Sequence, residues 1–355
     1  MATFISSHKV FAHIDRLSAW QQGGNPAPVL VEIDLTNVCS LGCQSCHFAH
    51  THVAGPWAVR DTDKPAGYSD TGKHADPALI MRVLGEIADA GVKGVVYTGG
   101  GEPTLHPKCG AILEHGAKVG LHQGMYTLGG HITEALAESC RSLTWVVVSL
   151  DTVDAVTYSK EKGVPMARFE AACAGIRSLV GKVPTVGVSY LLHADNYREM
   201  GRMIGLTREL GATYTTFRPT VDTSPANPAV CTTDRAWVSD ALPDLERYAE
   251  YADVECDPSR FVAYRDWQGH RYPACYGIRL VTMVTPDGRV WVCPNRRGVP
   301  GSELGNLRTE SFGAVWARHP RQWTDFRECR VMCRLHSINT VLATVHAPRV
   351  HEAFV

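Results

Sequence analysis

Residues 37–46 read NVCSLGCQSC and place Cys39, Cys43 and Cys46 in a Cys-x3-Cys-x2-Cys pattern. The pattern follows directly after residues 29–35, an apolar run typical of a buried β-strand. Three thiolates this close together can hold one iron–sulfur cluster on a single loop and leave its fourth iron open. The sequence therefore predicts an iron–sulfur site immediately after the first strand.

A zinc site is the alternative for the same cysteines. Structural zinc takes four ligands, and His47, His50 or His52 would supply the fourth. The histidines also have two other interpretations, as part of a substrate pocket together with Trp57 or as solvated loop residues.

Outward from this motif, strand-like and helix-like segments alternate. The predicted strands are Val29–Leu35, Gly94–Thr98, Gly120–Thr127, Thr144–Leu150, Thr185–Leu192 and Thr213–Phe217. Amphipathic stretches between them predict helices, several of which are followed by glycine. Such alternation favours right-handed βαβ units and a parallel sheet. The predicted fold class is α/β, a partial (β/α)6 TIM-like barrel whose sites lie at the carboxyl ends of the strands.

A second group of cysteines lies near the end of the chain. Its members are Cys275, Cys293, Cys329 and Cys333. Residues 280–292 predict a β-hairpin that turns at Gly288, so we expect a small C-terminal domain built around this hairpin. Four thiolates complete one [4Fe–4S] cluster or, alternatively, one structural zinc site.

Composition narrows the classes of function. The chain has 355 residues, twelve cysteines and a formal net charge of −1, so no basic surface suggests a nucleic-acid partner. Disulfides are rare in the reducing cytosol. Cysteines that are grouped in the sequence of a cytosolic protein are more often metal ligands. No secretory signal or apolar run of ~20 residues is visible. We expect a cytoplasmic protein with no membrane partner.

The predicted division of the chain has four parts. They are an N-terminal helical segment (1–28), the barrel (29–220), a linker with a helix (221–256) and an auxiliary iron–sulfur domain (257–355).

The two motifs at the ends of the first two strands resemble the radical S-adenosylmethionine (SAM) superfamily. Besides the cysteine pattern, residues 99–103 read GGGEP, similar to the Gly-Gly-Glu-Pro motif of that family. The resemblance implies that Gly100, Gly101 and Glu102 contact the methionine part of SAM. Ser45 departs from the family, which usually has an aromatic residue there.

Weaker similarities lie at the ends of later strands. They imply further SAM contacts by four residues, Ser149, Asp151, Ser189 and Arg218. The Thr-Asn-Gly typical of the third strand is only approximated by residues 127–129. The second cysteine group is similar to the SPASM and Twitch groups of the superfamily, and four cysteines match the shorter Twitch form.

The resemblance also implies an activity. A reduced first cluster cleaves SAM to a 5′-deoxyadenosyl radical, which takes a hydrogen atom from the substrate, with flavodoxin or ferredoxin as electron donor. Only 38 residues precede Cys39, fewer than the added recognition domain of most peptide-modifying members needs. The sequence therefore favours a small sugar, aminocyclitol or nucleoside, dehydrogenated or epimerised in natural-product biosynthesis. Peptide modification and a non-enzymatic zinc or iron–sulfur binding protein are the alternatives.

Epimerisation would need a thiol to return a hydrogen atom to the substrate. Cys256 lies where the barrel region passes into the C-terminal region, so it is the candidate donor. The cysteines at 109, 140 and 173 lie in or beside helical stretches and are expected to be buried small residues.

Overall fold

The protein is described here by a computed structural model of residues 7–43, 74–220, 234–299, 301–320, 322–326, 329 and 333–346. Its strands are β1 Leu30–Asp34, β2 Gly94–Thr98, β3 His122–Thr127, β4 Trp145–Ser149, β5 Val186–Leu192, β6 Tyr214–Pro219, β7 Val254–Glu255, β8 Val281–Val284, β9 Arg289–Trp291 and β10 Glu303–Asn306. Its α-helices are α1 Ile14–Gln21, α2 Pro77–Asp89, α3 Cys109–Lys118, α4 Glu134–Ser139, α5 Ala155–Lys162, α6 Ala167–Leu179, α7 Met200–Glu209, α8 Trp237–Ala249, α9 Pro258–Arg265, α10 Phe312–Trp316 and α11 His336–His346.

Helix α2 shows how the sequence sets these elements. The Asp76 side chain accepts a hydrogen bond from the backbone N–H of Ala78, and Pro77 occupies the first turn, where its missing N–H costs nothing. The apolar residues recur at helical spacing and are buried against the sheet, whereas Gly91 follows the helix at φ +87°.

The strands form one sheet in the order β10-β9-β8-β1-β2-β3-β4-β5-β6-β7. Neighbouring strands from β1 to β7 are parallel, which confirms the predicted α/β barrel-like fold. The predicted hairpin is also present, since β8 and β9 pair antiparallel.

The hairpin continues the barrel sheet. Strand β8 pairs in parallel with β1, with Leu30 opposite Val281 and Ile33 opposite Val284. The segment that leads to Cys293 is therefore hydrogen-bonded to the strand that leads to Cys39. The predicted domain boundaries stay a prediction, but the sheet itself runs from the barrel into the C-terminal region.

Alternation along the strands separates two faces. Val31 and Ile33 are fully buried in the main apolar core with the helices, so Glu32 and Asp34 face the barrel interior. The strand register places several other side chains on this interior face, namely Thr98, Tyr126, Ser149, Ser189, Arg218 and Glu255. None of the described helices has the length and apolar character to cross a membrane.

Candidate active site

The first cysteine motif lies on the loop after β1. Cys39 and Cys43 both pack against the main core, whereas Cys46, the histidines of residues 47–52 and Trp57 lie outside the described residues. Burial raises the pKa of the Cys39 thiol to about 12. Burial also raises the pKa of Cys43, and the nearby Lys162 ammonium opposes that rise. A thiolate at either position needs a positive neighbour, which iron would supply.

The glycine run after β2 packs directly on this loop. A Cβ atom at Gly100 would lie 2.4 Å from the Asn37 side-chain oxygen, and one at Gly101 would lie 2.2 Å from the Val38 carbonyl oxygen. Both positions therefore exclude a side chain. The two loops that carry the cysteines and the glycines meet with their backbones in contact, as the predicted SAM site requires.

Glu102 fixes the end of β2 to the end of β3. Its Oε1 accepts hydrogen bonds from the Thr104 backbone N–H (3.0 Å) and hydroxyl (2.5 Å) and from the Thr127 hydroxyl (2.6 Å). Its Oε2 accepts one from the Leu128 N–H (2.7 Å). Because each carboxylate oxygen has two lone pairs, Oε2 retains capacity for a further donor such as the SAM ammonium group.

Ser149, Asp151 and Ser189 come together at the ends of β4 and β5. Ser149 and Ser189 are direct neighbours across the two strands. Asp151 has a φ of +60°, a strained conformation for a residue other than glycine, and its carboxylate accepts a hydrogen bond from the Leu191 N–H (3.1 Å). Such strain often accompanies functional sites, although the contact of these residues with SAM stays a prediction.

Lys162 is a residue of this region that the sequence did not reveal. Its Nζ lies 2.7 Å from Asp151 Oδ2, with both side chains almost fully buried. Burial alone would lower the pKa of Lys162, but Asp151 and the neighbouring Cys43 raise it. The Lys162 carbonyl also accepts a hydrogen bond from Gly42 of the cysteine loop (2.8 Å). A lysine at the end of a weakly amphipathic helix gives no sequence signal for such a role.

Arg218 lies at the end of β6, opposite Leu191 of β5. Its Nη2 donates to the Tyr126 hydroxyl across the barrel interior (3.2 Å).

The second cysteine group converges on one buried cluster. Cys275 and Cys293 are buried with Ile278, Val281 and Leu335, and Cys333 packs against them. Burial and then the charges of Cys333, Cys275 and Cys329 raise the pKa of Cys293, so all four thiols are mutual neighbours.

Polar groups point at three of these sulfurs. Asn339 Nδ2 lies 3.1 Å from Cys275 Sγ, the Leu335 N–H lies 3.3 Å from Cys333 Sγ, and Arg296 Nη1 lies 3.9 Å from Cys329 Sγ. Donors to the sulfurs stabilise the negative charge that an iron–sulfur cluster places on its ligands. Asn339 is fully buried on the apolar face of α11, between Leu335 and Leu342. A polar residue at an apolar position of a helix is a sequence signal by which this contact could have been predicted.

No group of three or more His, Cys, Asp or Glu side chains among the described residues is placed to share a single metal ion.

Two ion pairs connect the barrel interior with the C-terminal region. Arg297 pairs with Asp34, and both side chains are buried. Arg334, next to Cys333, pairs with Glu32, which is also buried. Neither pair was predicted, because no local pattern connects residues so distant in sequence.

Cys256 faces away from the barrel interior. It packs with Val254 against the main core, whereas the intervening Glu255 pairs with Thr216 on the interior face. Cys256 is half-buried, and its role as a hydrogen donor stays a prediction. The cysteines at 109, 140 and 173 are buried.

Comparisons with known proteins agree with this arrangement. The family model of the radical SAM superfamily matches residues 33–207, and the SPASM model, an iron–sulfur cluster-binding domain, matches residues 275–337.

Proteins of similar sequence include the PqqA peptide cyclase of Methylocella silvestris, 27% identical over 305 residues that cover 83% of this chain and 75% of that protein. The AdoMet-dependent heme synthase of Methanosarcina barkeri is 25% identical over 344 residues, which cover 90% of this chain and 92% of that protein.

Solved structures share the fold. Streptococcus suis SuiB bound to its precursor peptide SuiA has a TM-score of 0.65 at 13% identity, over 90% of this chain and 72% of that one. The structure of anSMEcpe with bound AdoMet has a TM-score of 0.59 at 13% identity, over 81% of each chain.

The fold, the two cysteine groups and these matches define a radical SAM enzyme. The chain belongs to the radical SAM superfamily, and a SPASM-type iron–sulfur domain follows its barrel. Its cofactors are SAM and [4Fe–4S] clusters, which confirms the cofactors predicted from the sequence.

Glu102→Gln tests the placement of the glycine motif against SAM. The substitution removes a negative charge and sets an amide N–H₂ against donors that now point at a carboxylate. We expect SAM affinity to fall about tenfold to a hundredfold, since charged hydrogen bonds contribute about 1.5–3 kcal/mol. Calorimetric titration with SAM measures this. Iron content should not change, and unaltered SAM affinity would show that the motif is misplaced.

Asn339→Leu and Asn339→Asp separate two roles of this side chain. Its Oδ1 accepts the N–H groups of Tyr276 and Gly277, each at 2.8 Å. Leucine should cost about 1–3 kcal/mol of stability for each N–H left buried without an acceptor. Aspartate retains the acceptor but replaces the donor to Cys275 with negative charge, so we expect a lower reduction potential of the second cluster, measured by redox titration with electron paramagnetic resonance. Equal potentials in wild type and Asn339→Asp would contradict the N–H···S contact.

Proposed function

We propose that this enzyme modifies a peptide. The observation that carries the proposal is the similarity to PqqA peptide cyclases, which extends over 83% of the chain. The fold shared with SuiB, solved with its precursor peptide, is consistent with it. These relatives support the peptide alternative better than the sugar, aminocyclitol or nucleoside favoured by the sequence alone.

Residues of the chain have distinct tasks in this function. Cys39, Cys43 and Cys46 would hold the first cluster through the motif that follows β1. When bound, that cluster and SAM supply a 5′-deoxyadenosyl radical that takes a hydrogen atom from the substrate. The cysteines of the second group would hold the auxiliary cluster, which would supply an electron acceptor beside the barrel. Flavodoxin or ferredoxin is the proposed electron donor.

The walls of the SAM pocket are held by buried polar contacts. Glu102 binds the end of β3 to the end of β2 through Thr127 and Leu128, and Asp151 with Lys162 holds the end of β4 against the cysteine loop. Because these groups already have fixed partners, the glycines and serines between them present their backbone and hydroxyl groups in one orientation. Gly100, Gly101, Glu102, Ser149, Asp151 and Ser189 are the proposed SAM contacts.

Product analysis tests the choice of substrate class. The anaerobically reconstituted enzyme receives SAM and dithionite with one of three pools: peptides encoded beside its gene, aminocyclitols with sugars and nucleosides, or tetrapyrroles. We expect only the peptide pool to stimulate 5′-deoxyadenosine formation and to contain a product of changed mass. Stimulation by the small polyols alone would overturn the proposal.

A further inference from the structure

Three arginines surround Tyr126 inside the barrel. Arg218 donates to the Tyr126 hydroxyl, and its guanidinium carbon lies 5.8 Å from the centre of the ring. Burial and then the positive charge of Arg218 lower the pKa of Arg260, which lies in α9. Tyr126 raises the pKa of Arg218, whereas burial and, more weakly, Arg334 lower it. Helix α9 packs against β6, so Arg260 and Arg218 lie on neighbouring elements and are close enough for their charges to interact.

Three acidic residues lie near these arginines. Glu32 pairs with Arg334. Asp257 uses Oδ1 to cap α9, where it accepts the N–H (3.0 Å) and hydroxyl (2.6 Å) of Ser259. Glu255 lies on the same interior face, on β7.

Two donors remain unmatched. Nε of Arg218 and Nε of Arg260 are buried and have no acceptor among the described residues. A buried N–H of a charged group without an acceptor is costly. Since a guanidinium presents its donors in a planar fork that fits a carboxylate with two parallel hydrogen bonds, these two side chains form a ready receptor for a carboxylate.

We infer that Arg218 and Arg260 bind a carboxylate of the peptide substrate and thereby position it in the barrel beside Tyr126. The inference rests on the proposed function and adds the chemistry that the peptide must carry: an acidic side chain or a free C-terminal carboxylate. It also moves Arg218 from the SAM contacts to the substrate contacts. The SAM carboxylate has its own candidate partners elsewhere, among Ser149, Ser189 and Lys162.

Peptide selection on the holoenzyme tests this inference. The reconstituted enzyme with SAM is immobilised and offered two libraries of short random peptides, one amidated and one with free C-termini. We expect enrichment of Asp or Glu in the amidated library if a side chain is bound, or enrichment of the free library alone if the terminus is bound. In Arg218→Gln and Arg260→Gln, an enriched peptide should bind about tenfold to a hundredfold more weakly.

Arg265→Gln is the matched control, because Arg265 lies on the same helix as Arg260 but pairs with Asp266 at the surface. It should bind peptide as the wild type does, and Arg218→Lys should recover part of the lost affinity. Iron content and SAM affinity should be unchanged in all variants. If Arg218→Gln loses SAM affinity, or if wild type and variants select the same acidic peptides, the inference is wrong. Selection of peptides without acidic groups would also overturn it but leave the proposed function intact, whereas no selected peptide of any kind would count against the proposed function itself.

Discussion

Replacing Cys39 and Cys43 together by alanine should abolish SAM cleavage and leave the protein with only its second cluster. The two residues lie on the loop after β1 and pack with the core, so alanine fits the same space without new contacts. Two lost ligands leave a single cysteine of the motif, which cannot hold a cubane. The reconstituted variant should contain about four irons in place of about eight.

Iron analysis and an assay for 5′-deoxyadenosine measure both effects. Cys140→Ala is the control, because this buried cysteine lies beside α4 and belongs to neither group. It should retain both clusters and full SAM cleavage. A double variant that still cleaves SAM would mean that another set of residues holds the reactive cluster.

Arg297→Met should destabilise the protein by about 3–5 kcal/mol, since removal of one partner leaves the other as a buried, uncompensated charge. Asp34 is completely buried, and its carboxylate also accepts the N–H of Gly100. Burial raises the pKa of Asp34 to about 7 although Arg297 lowers it. Loss of Arg297 should therefore raise that pKa further and disturb the contact between β1 and the glycine motif.

The destabilisation should depend on pH. An aspartate whose pKa is higher in the folded than in the unfolded protein binds the proton more tightly when folded, so rising pH favours unfolding up to the folded pKa. In Arg297→Met the pKa of Asp34 in the folded protein is raised further, so the variant continues to lose stability at pH values where the wild type no longer does. The difference between wild type and variant should be smaller near about pH 5 than near about pH 8, measured by urea unfolding.

Two further variants make this test specific. Asp34→Asn combined with Arg297→Met removes both charges and should recover much of the stability. Arg289→Met removes a hairpin arginine that pairs with Asp287 at a more exposed position, 2.9 Å apart, and should cost about 0–1 kcal/mol. Equal losses for Arg289→Met and Arg297→Met, at all pH values, would contradict the role of the buried pair.

The six barrel strands could be predicted within two residues at each end. Strands of a parallel sheet are buried on both faces, so runs such as residues 146–148, all valine, identify them directly. The cysteine and glycine motifs were equally visible, because chemistry at a strand end requires particular residues at short spacing. Helix α5 is harder to place, since its β-branched residues and charges produce only weak periodicity.

Contacts between distant segments could not be predicted. The pairing of β8 with β1, the partners of Lys162 and Arg297, and the approach of Arg218 and Arg260 to Tyr126 all depend on the assembled sheet. A charged residue that is buried in such a contact has the same sequence signature as a solvated one. The substrate class could not be predicted from the sequence either. That prediction was based on the number of residues before the first motif and not on the residues that line the barrel.

The position of β1 in the sheet has a consequence for the order of folding during synthesis. Strand β1 emerges early from the ribosome, but its neighbour β8 follows about 250 residues later. Until then one side of an apolar strand has no partner, a condition that favours association with other chains. We therefore expect the nascent enzyme to depend on chaperones until β8 is made. Truncations that end before Val281 should yield insoluble protein even though they contain the entire SAM-binding motif.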